Sequence, residues 1–334
     1  MIRPRSIRAL AVILAVLVYF PGFGATRPIN ITARPVPLHT EDTTHTRVGS
    51  LVYLGGLRLE SDARDFGGFS GLHISADGDR LTAISDFGRR LEARLFYSGE
   101  SLVGIADASL TLLSGPDGKT ITGKGEGDAE GIARLGGSLL VSFERQHRIL
   151  SYGPSANFPH IVPPPPGLER APENGGIEAL AALPGGRLLV ILEAAIAGAS
   201  ETRSNLSLAW IREGGRWTQL FYARTGQFSP SASAVVPAGK GVGDVLVVER
   251  HWSMMAGTTV RIWRIAARQI AGASVGTHLS PKQIARLAAP MTVDNFEGIS
   301  VRRGRGGAVL VYIISDDNFS PLQQTLLMLF RLDG

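Results

Sequence analysis

One short phrase recurs along the chain, and a repeat at intervals of tens of residues is the feature that most constrains the fold. Four copies open an apolar, strand-like stretch: Gly68–Leu72, Asp128–Ile132, Gly176–Leu180 and Asn295–Ile299. A weaker copy occupies Ser231–Val235. Each copy is followed by a turn that contains glycine and by a second apolar run that ends in an acidic residue. These units predict an array of short antiparallel strands joined by tight turns.

Five such units predict an all-β fold, a β-propeller with five blades. The 334 residues include 41 glycines and 19 prolines, as many short strands and turns require. The last unit lacks a fourth strand, whereas the early strand at Leu51–Glu60 lacks a unit of its own. We therefore expect this N-terminal strand to complete the last blade, which removes exposed sheet edges. A sixth blade remains open if the interval Ser233–Glu297 hides a degenerate unit.

Residues 1–25 have the pattern of a secretory signal peptide. Three arginines precede a short apolar run at Ala9–Phe20, and Pro21–Ala25 supplies small residues for cleavage. We expect a periplasmic or secreted protein with no stable membrane span after cleavage; the alternative is an uncleaved anchor. Residues 26–47 are expected to form an extended lead-in, and residues 48–334 a single propeller domain.

Composition excludes several kinds of chemistry. The absence of cysteine excludes disulfides, thiol catalysis and thiolate metal sites. The net charge of +5 includes the three arginines of the signal segment, and no Lys/Arg stripe with interleaved aromatics occurs. We therefore expect no nucleic-acid partner. The expected assembly is a monomer, and the expected partner is a small molecule.

Acidic residues stand at equivalent places in the first strand of three units. In a propeller this strand lines the central axis, so Glu130, Glu178 and Glu297 should converge at one mouth of the channel. Ser70 and Ser233 are expected at the matching places of the other two units. Such agreement among repeats favours a site over three unrelated acids.

A second set of acids ends the second strands: Asp86, Glu144, Glu193, Glu249 and Asp316. Antiparallel pairing places the end of the second strand beside the start of the first, so both sets should share one face. Converging carboxylates repel each other. A divalent cation would relieve this repulsion, and calcium takes 6–8 oxygen ligands. The alternatives are neutralisation by arginines, shared protons for acid–base chemistry, or acids that only cap their own hairpins.

Two of these acids are followed by an arginine and a histidine, namely Arg145 with His147 and Arg250 with His251. A guanidinium offers a planar fork for phosphate or carboxylate, and an imidazole can act as a base. We interpret all four as candidate catalytic residues; the alternative is an ion pair within the blade with a histidine on the rim. The glycine-rich run Gly123–Gly127 lacks Walker spacing and is interpreted as a flexible loop.

The combined phrases resemble those of the bacterial phytase-like domain family, which is described as having esterase-like activity of phytase. The residues that carry the resemblance are Phe69–Leu72, Ser85–Arg89, Asp128–Ile132, Ser142–Arg145, Asn295–Ile299 and Ile314–Phe319. The resemblance covers roughly residues 48–333. It implies a β-propeller and suggests hydrolysis of an ester or phosphoester.

Two functions from different classes follow. The first is an exported hydrolase that acts on a phosphoester or carboxyl ester at the acid-lined mouth, with a divalent cation. The alternative is a non-catalytic propeller of the cell envelope that binds a ligand or protein at the same mouth. A scaffold whose acids only cap turns is a third hypothesis. Cation binding separates the first two from the third, and turnover separates the first from the second.

Overall fold

The computed structural model describes residues 26–154, 156, 158–196, 205–239 and 241–333. The strands form five sheets, and the innermost strands of neighbouring sheets adjoin each other around a closed ring. The chain is therefore a five-bladed β-propeller, as the repeat predicts. The described residues of the interval Ser233–Glu297 supply the outer strands of the fourth blade and one short strand of the third, and they form no sixth blade. The predicted signal segment lies outside the described residues.

Strands are numbered in chain order. Before the first unit lie β1 (Arg27–Pro28), β2 (Thr32–Pro35), β3 (Arg47–Val48) and β4 (Leu51–Glu60). Blade 1 contains β5 (Phe69–Ile74), β6 (Arg80–Ser85), β7 (Arg89–Ser98) and β8 (Ser101–Leu112). Blade 2 contains β9 (Ala129–Leu135), β10 (Ser138–Phe143), β11 (Arg148–Tyr152) and β12 (His160–Val162). Blade 3 contains β13 (Ile177–Leu183), β14 (Arg187–Ala195), β15 (Leu206–Glu213) and β16 (Arg216–Ala223).

The remaining strands complete the ring. Blade 4 contains β17 (Ser229–Val235), β18 (Val245–Ser253), β19 (Gly257–Ile265) and β21 (Lys282–Leu287). The short strand β20 (His278–Leu279) lies between β19 and β21 in the chain but pairs in parallel with β16 at the edge of blade 3. Blade 5 contains β22 (Asn295–Arg303), β23 (Val309–Asp316) and β24 (Thr325–Leu332). Two short helices, α1 (Lys124–Gly127) and α2 (Ala267–Ala271), and two 3₁₀ turns, Leu168–Arg170 and Arg305–Gly307, lie between strands. Among the described residues, no helix is both long and apolar enough to cross a bilayer.

The N-terminal region closes the ring as predicted. β4 pairs antiparallel with β24 and completes blade 5, and β2 extends this sheet beyond β4. β1 instead pairs with the outer strand β8 of blade 1. The predicted lead-in is thus part of two neighbouring blades. Blade 5 combines strands from both ends of the chain, and the pairing of β4 with β24 closes the ring.

The hydrophobic core lies between the blades. In one cluster, Leu57 and Leu327 of blade 5 pack with Phe69, Leu72 and Leu91 of blade 1. Similar clusters lie between the other neighbouring blades. Burial of these apolar faces supplies the main driving force for assembly of a propeller that has no disulfides.

Every blade has the same register shift between its first two strands. In blade 1, Phe69 pairs with Ser85 but Gly71 pairs with Ile84, which leaves Ser70 as the extra residue. The corresponding extra residues of the five blades are Ser70, Glu130, Glu178, Ser231 and Glu297. A β-bulge of this kind turns the extra side chain away from the regular alternation, and bulges are frequent beside active sites.

The glycine of the repeated phrase has a packing role. A Cβ at Gly131 would lie 2.6 Å from the carbonyl oxygen of Glu178, and one at Gly71 would lie 2.8 Å from that of Glu130. Both contacts join the inner strands of neighbouring blades. The phrase therefore combines a bulge, which aims a side chain at the axis, with a small residue, which lets the inner strands approach.

Candidate metal and catalytic site

Two rings of residues meet at one end of the axis. The inner ring consists of the five bulge residues, Ser70, Glu130, Glu178, Ser231 and Glu297. The outer ring lies on the second-strand side, one residue after the partner of the residue that precedes each bulge, and consists of Asp86, Glu144, Glu193, Arg250 and Asp316. We call these ten residues the acidic mouth. Their shared end agrees with the expectation from antiparallel pairing.

Blade 4 departs from the predicted register. Glu249, predicted as a ligand, pairs with Pro230 and so occupies the place of Ser85 in blade 1, one residue before the outer ring. A one-residue offset turns a side chain to the other face of a strand. Glu249 is accordingly buried and accepts hydrogen bonds from the Tyr222 hydroxyl at 3.1 Å and the Thr225 hydroxyl at 2.6 Å. Arg250 takes the outer-ring place instead.

The bulge in blade 4 also determines which serine belongs to the inner ring. Ser231, rather than Ser233, corresponds to Ser70 and to the three inner-ring glutamates. Its hydroxyl donates a hydrogen bond to the Phe296 carbonyl oxygen at 3.1 Å. Ser233 lies two residues further along the strand and lines the axial cavity.

The acids approach each other closely. Oxygen atoms of Asp128, Glu130 and Glu144 lie within 4.8 Å of one another, and so do those of Glu144, Glu178 and Glu193. Glu144 belongs to both groups. One of its oxygens accepts hydrogen bonds from the backbone N–H groups of Gly175 at 2.5 Å and Gly176 at 3.0 Å, which fixes the carboxylate in place.

Among the described residues, three side-chain cations contact these carboxylates. Arg250 Nη2 lies 3.0 Å from Glu297 Oε1, 3.6 Å from Glu193 Oε1 and 4.0 Å from Glu178 Oε2. It therefore neutralises part of the cluster from within the ring. The guanidinium of Arg145 and the ammonium of Lys124 contribute from outside the ring.

Both outer cations hold buried aspartates. Arg145 Nε donates to Asp128 Oδ2 at 2.7 Å, and Arg145 Nη1 lies 2.9 Å from Glu173 Oε1. Lys124 Nζ lies 2.7 Å from Asp86 Oδ2 and 3.6 Å from Asp128 Oδ1. The predicted flexible loop around Lys124 is the helical turn α1 in the structure, and its lysine reaches the mouth.

The environment disfavours a full set of negative charges. Burial, and then neighbouring acids such as Glu297, raise the pKa of Glu130 well above its ordinary value. Burial and Glu193 raise the pKa of Glu178 in the same direction, and burial and Glu297 raise that of Asp316. Burial likewise raises the pKa values of four other predicted ligands, Asp86, Glu144, Glu193 and Glu249. Without a cation, these acids therefore hold their protons more tightly than they would in water.

The two candidate histidines lie in different surroundings. His147 adjoins the mouth, since a Cβ on Gly176 would lie 2.8 Å from His147 Nδ1. That buried nitrogen has no hydrogen-bond partner among the described residues. His251 instead alternates with Arg250 along β18, and its ring lies 5.3 Å from that of Phe228. The structure thus brings His147, Arg145 and Arg250 to the mouth and turns His251 away.

Sequence reasoning missed two residues of this site. Asp128 is fully buried and joins one of the two acid groups, although only Glu130 of the same phrase was predicted as a ligand. The sequence feature that could have identified Asp128 was its position two residues before Glu130, in the same repeated phrase. Lys124 carried no usable signal, because a single lysine in a glycine-rich run does not reveal which acid it will reach.

Several solved structures are similar to the chain. An oxidoreductase described as a glucose dehydrogenase from Thermus thermophilus has 18% identity and a TM-score of 0.35, over 89% of this chain and 100% of that one. The PQQ-bound aldose sugar dehydrogenase of Streptomyces coelicolor has 13% identity and a TM-score of 0.41, over 86% and 99% of the two chains. A nidogen/laminin complex has 12% identity and a TM-score of 0.41, over 80% and 87%. The assignment of five blades depends on the sheets of this chain alone.

No curated protein matches the sequence. A family model does, over residues 64–319 of the 334, and its description is esterase-like activity of phytase. The match includes the four strong copies of the repeated phrase and both rings of the acidic mouth. The chain therefore belongs to the phytase-like family.

Proposed function

We propose that the acidic mouth binds a divalent cation, with calcium as the first candidate, and hydrolyses a small-molecule phosphoester or carboxyl ester. The observation that carries this proposal is the convergence of two acid groups that share Glu144. Carboxylates from four of the five blades lie in the two rings and Asp128 adjoins them, whereas among the described residues three side-chain cations contact this group. The excess negative charge is buried and fixed by the backbone bulges.

The donor atoms suit a hard cation. Asp86 Oδ1, Asp128 Oδ1 and Glu178 Oε2 are buried and have no hydrogen-bond partner among the described residues. The hydroxyl of Ser70, also in the inner ring, is buried and similarly without a partner. Buried oxygens without a donor are costly, and a cation that prefers oxygen ligands would satisfy them. Asp317 is excluded from this set because it accepts hydrogen bonds from Gly68, Phe319 and Thr325.

The cation would be held by Asp128, Glu130, Glu144, Glu178 and Glu193. Bound there, it would polarise a phosphoryl or carbonyl oxygen. Asp86, Glu297 and Asp316 complete the rings and set their charge. These roles are what the positions support.

Other side chains would act on the substrate and its protons. Arg145 is 30% exposed while Asp128 and Glu173 orient it, so its guanidinium can also receive a substrate anion. His147, beside Glu144, is the candidate for moving a proton at Nδ1. β18 continues beyond Arg250, and Trp252 lies on the same face of that strand with 65% of its surface exposed. We assign to the Trp252 side chain the role of contacting the organic part of the substrate.

Export is part of the proposal. The signal-like residues 1–25 support a periplasmic or secreted protein. The millimolar calcium that extracellular sites use would then suffice for a site of modest affinity. The protein would act as a monomer on a soluble small molecule.

The test is hydrolysis of 4-nitrophenyl phosphate and 4-nitrophenyl acetate by the purified protein, with calcium, with magnesium and with chelator. The proposal expects cation-dependent turnover that Glu130→Gln abolishes and Glu249→Gln preserves, because Glu249 lies off the mouth. Cation binding without turnover would favour the non-catalytic binding propeller. Absence of both cation binding and turnover would mean that the acids are structural caps, and it would overturn the proposal.

A further inference from the structure

The largest cavity along the other side of blade 1 lies away from the acidic mouth. It has a volume of about 690 Å³ and is lined by His73, Arg80, Glu92, Arg94 and Asp107 of blade 1 with Arg134 of blade 2. His73 and Arg80 flank the β5–β6 hairpin, at the end opposite the bulge. We call these six residues the far-face groove. Its volume is in the range of small-molecule sites.

The charges of the far-face groove do not cancel. Asp107 Oδ2 lies 3.5 Å from Arg94 Nη1, and Glu92 Oε2 lies 3.4 Å from Arg90 Nη2, so both acids have a cationic partner. In the part of the chain that the structure describes, Arg80 and Arg134 make no salt bridge. Two guanidiniums from different blades are therefore left to face one cavity, and each can bind an oxyanion in a bidentate manner.

The groove continues into the axial cavity. His73 and Arg134 line both the groove and a cavity of about 140 Å³ on the axis. Ser233 also lines this axial cavity; the residue is 5% exposed, and its buried hydroxyl has no hydrogen-bond partner among the described residues. A buried hydroxyl without a partner costs free energy, and a polar group of a ligand in this cavity would satisfy it.

His73 adds hydrogen bonding without charge. Burial, and then the nearby Arg134, lower the pKa of His73 to about 4. The imidazole is therefore neutral at physiological pH, with one nitrogen as donor and one as acceptor. A ligand here would meet fixed positive charge at the arginines and neutral polar groups at His73 and Ser233.

We propose that the far-face groove is a second binding site, for a small organic molecule that carries a phosphate group. The phosphate contacts Arg80 and Arg134, and the polar body of the ligand extends past His73 toward Ser233. This site is independent of the acidic mouth and needs no metal. It therefore gives the propeller two ligand sites of opposite charge preference.

The test is calorimetric titration in chelator with glucose 6-phosphate, inorganic phosphate, glucose and citrate. We expect glucose 6-phosphate to bind more tightly than inorganic phosphate, and glucose not to bind. Arg134→Gln and Arg80→Gln should each weaken binding at least tenfold. Arg187→Gln is the matched control, because Arg187 begins the second strand of blade 3 as Arg80 begins that of blade 1, and it should leave binding unchanged.

Several results would overturn the proposal. Absence of binding by both phosphates would remove the site, and equal binding of citrate would remove the phosphate assignment. An equal loss in Arg187→Gln would show only non-specific attraction. Because these titrations are made without a divalent cation, their results would be the same even if the acidic mouth proved not to be a hydrolase. Arg80 and Arg134 are exposed, so the variants should fold, which melting temperatures would verify.

Discussion

The two ends of the axial cavity differ in charge although the same inner strands form both. At the bulged end, β9 and β13 present Glu130 and Glu178, and buried carboxylates outnumber the cations that contact them. At the other end β9 presents Arg134, and β5 presents the neutral His73. At the mouth, a β-bulge determines which side chains the inner strands present. At the other end, the regular alternation of side chains along the strand determines them. The comparison shows that a repeat can share its backbone among blades while each end keeps its own chemistry.

Energetic demands also differ between the two ends. Charges at the mouth are largely removed from water, so each depends on a specific partner. Arg80 and Arg134 in the far-face groove remain exposed, and solvent stabilises their charges. Substitutions at the mouth should therefore change stability, whereas those in the groove should change ligand binding alone.

The largest expected difference in stability is between variants of two arginines, one at each end of the axial cavity. Arg250→Gln removes the guanidinium that contacts Glu178, Glu193 and Glu297, which leaves buried charge without compensation. We expect a loss of about 3 kcal/mol in the free energy of unfolding. Arg134→Gln should change it by less than about 0.5 kcal/mol. Urea unfolding in chelator measures both; equal losses would contradict the contrast between the ends.

Calcium should stabilise the mouth end specifically. A ligand at one hundred times its dissociation constant stabilises the native state by about 2.7 kcal/mol. Glu144→Gln should abolish most of this gain, because Glu144 belongs to both acid groups. Glu169→Gln, at an exposed side chain, is the control that should keep it. Melting temperatures across a calcium titration provide the measurement, and an unchanged calcium response in Glu144→Gln would remove the shared-ligand assignment.

The fold could be predicted largely from the repeat. Five phrases gave five blades, and the orphan strand Leu51–Glu60 closed the ring by pairing with β24. The positions of Glu130, Glu178 and Glu297 followed because each stands directly before the small residue of the phrase. Those regularities are local, and local patterns are visible in a single sequence.

The rest of the site depended on register and on distant contacts. Glu249 ends an apolar run as Glu144 and Glu193 do, but the pairing of Pro230 with Glu249 shifts it out of the ring. The sequence does not reveal such a one-residue difference, because an apolar run marks a strand and not its partner. Lys124 and the far-face groove depend on contacts between units, which a pattern within each unit cannot show.

The mouth should also control how stability varies with pH when chelator removes any cation. The raised pKa values of Glu130, Glu178 and Asp316 mean that the folded protein holds protons more tightly than the unfolded chain. Their contribution is therefore fully present below the unfolded values near pH 4 and is lost as pH rises through the higher folded values. We therefore expect the free energy of unfolding in chelator to decline as the pH rises above the unfolded values. Glu130→Gln, which cannot ionise, should reduce this slope, and an equal slope would show that Glu130 does not titrate differently on folding.

The smallest effect separates two glutamates that look equivalent in sequence. Glu249→Gln keeps the shape of a side chain that accepts hydrogen bonds from Tyr222 and Thr225 but weakens those bonds by removing their charge. We expect a loss of about 1 kcal/mol in the free energy of unfolding and no change in calcium affinity. Glu193→Gln, in the outer ring, should instead weaken calcium binding, because its oxygen lies within 4.8 Å of those of Glu144 and Glu178. Calcium titrations of the two variants measure the difference. Equal calcium affinities would mean that the one-residue offset of Glu249 from the outer ring does not decide which glutamate serves the mouth, and that the two-ring description has the wrong members.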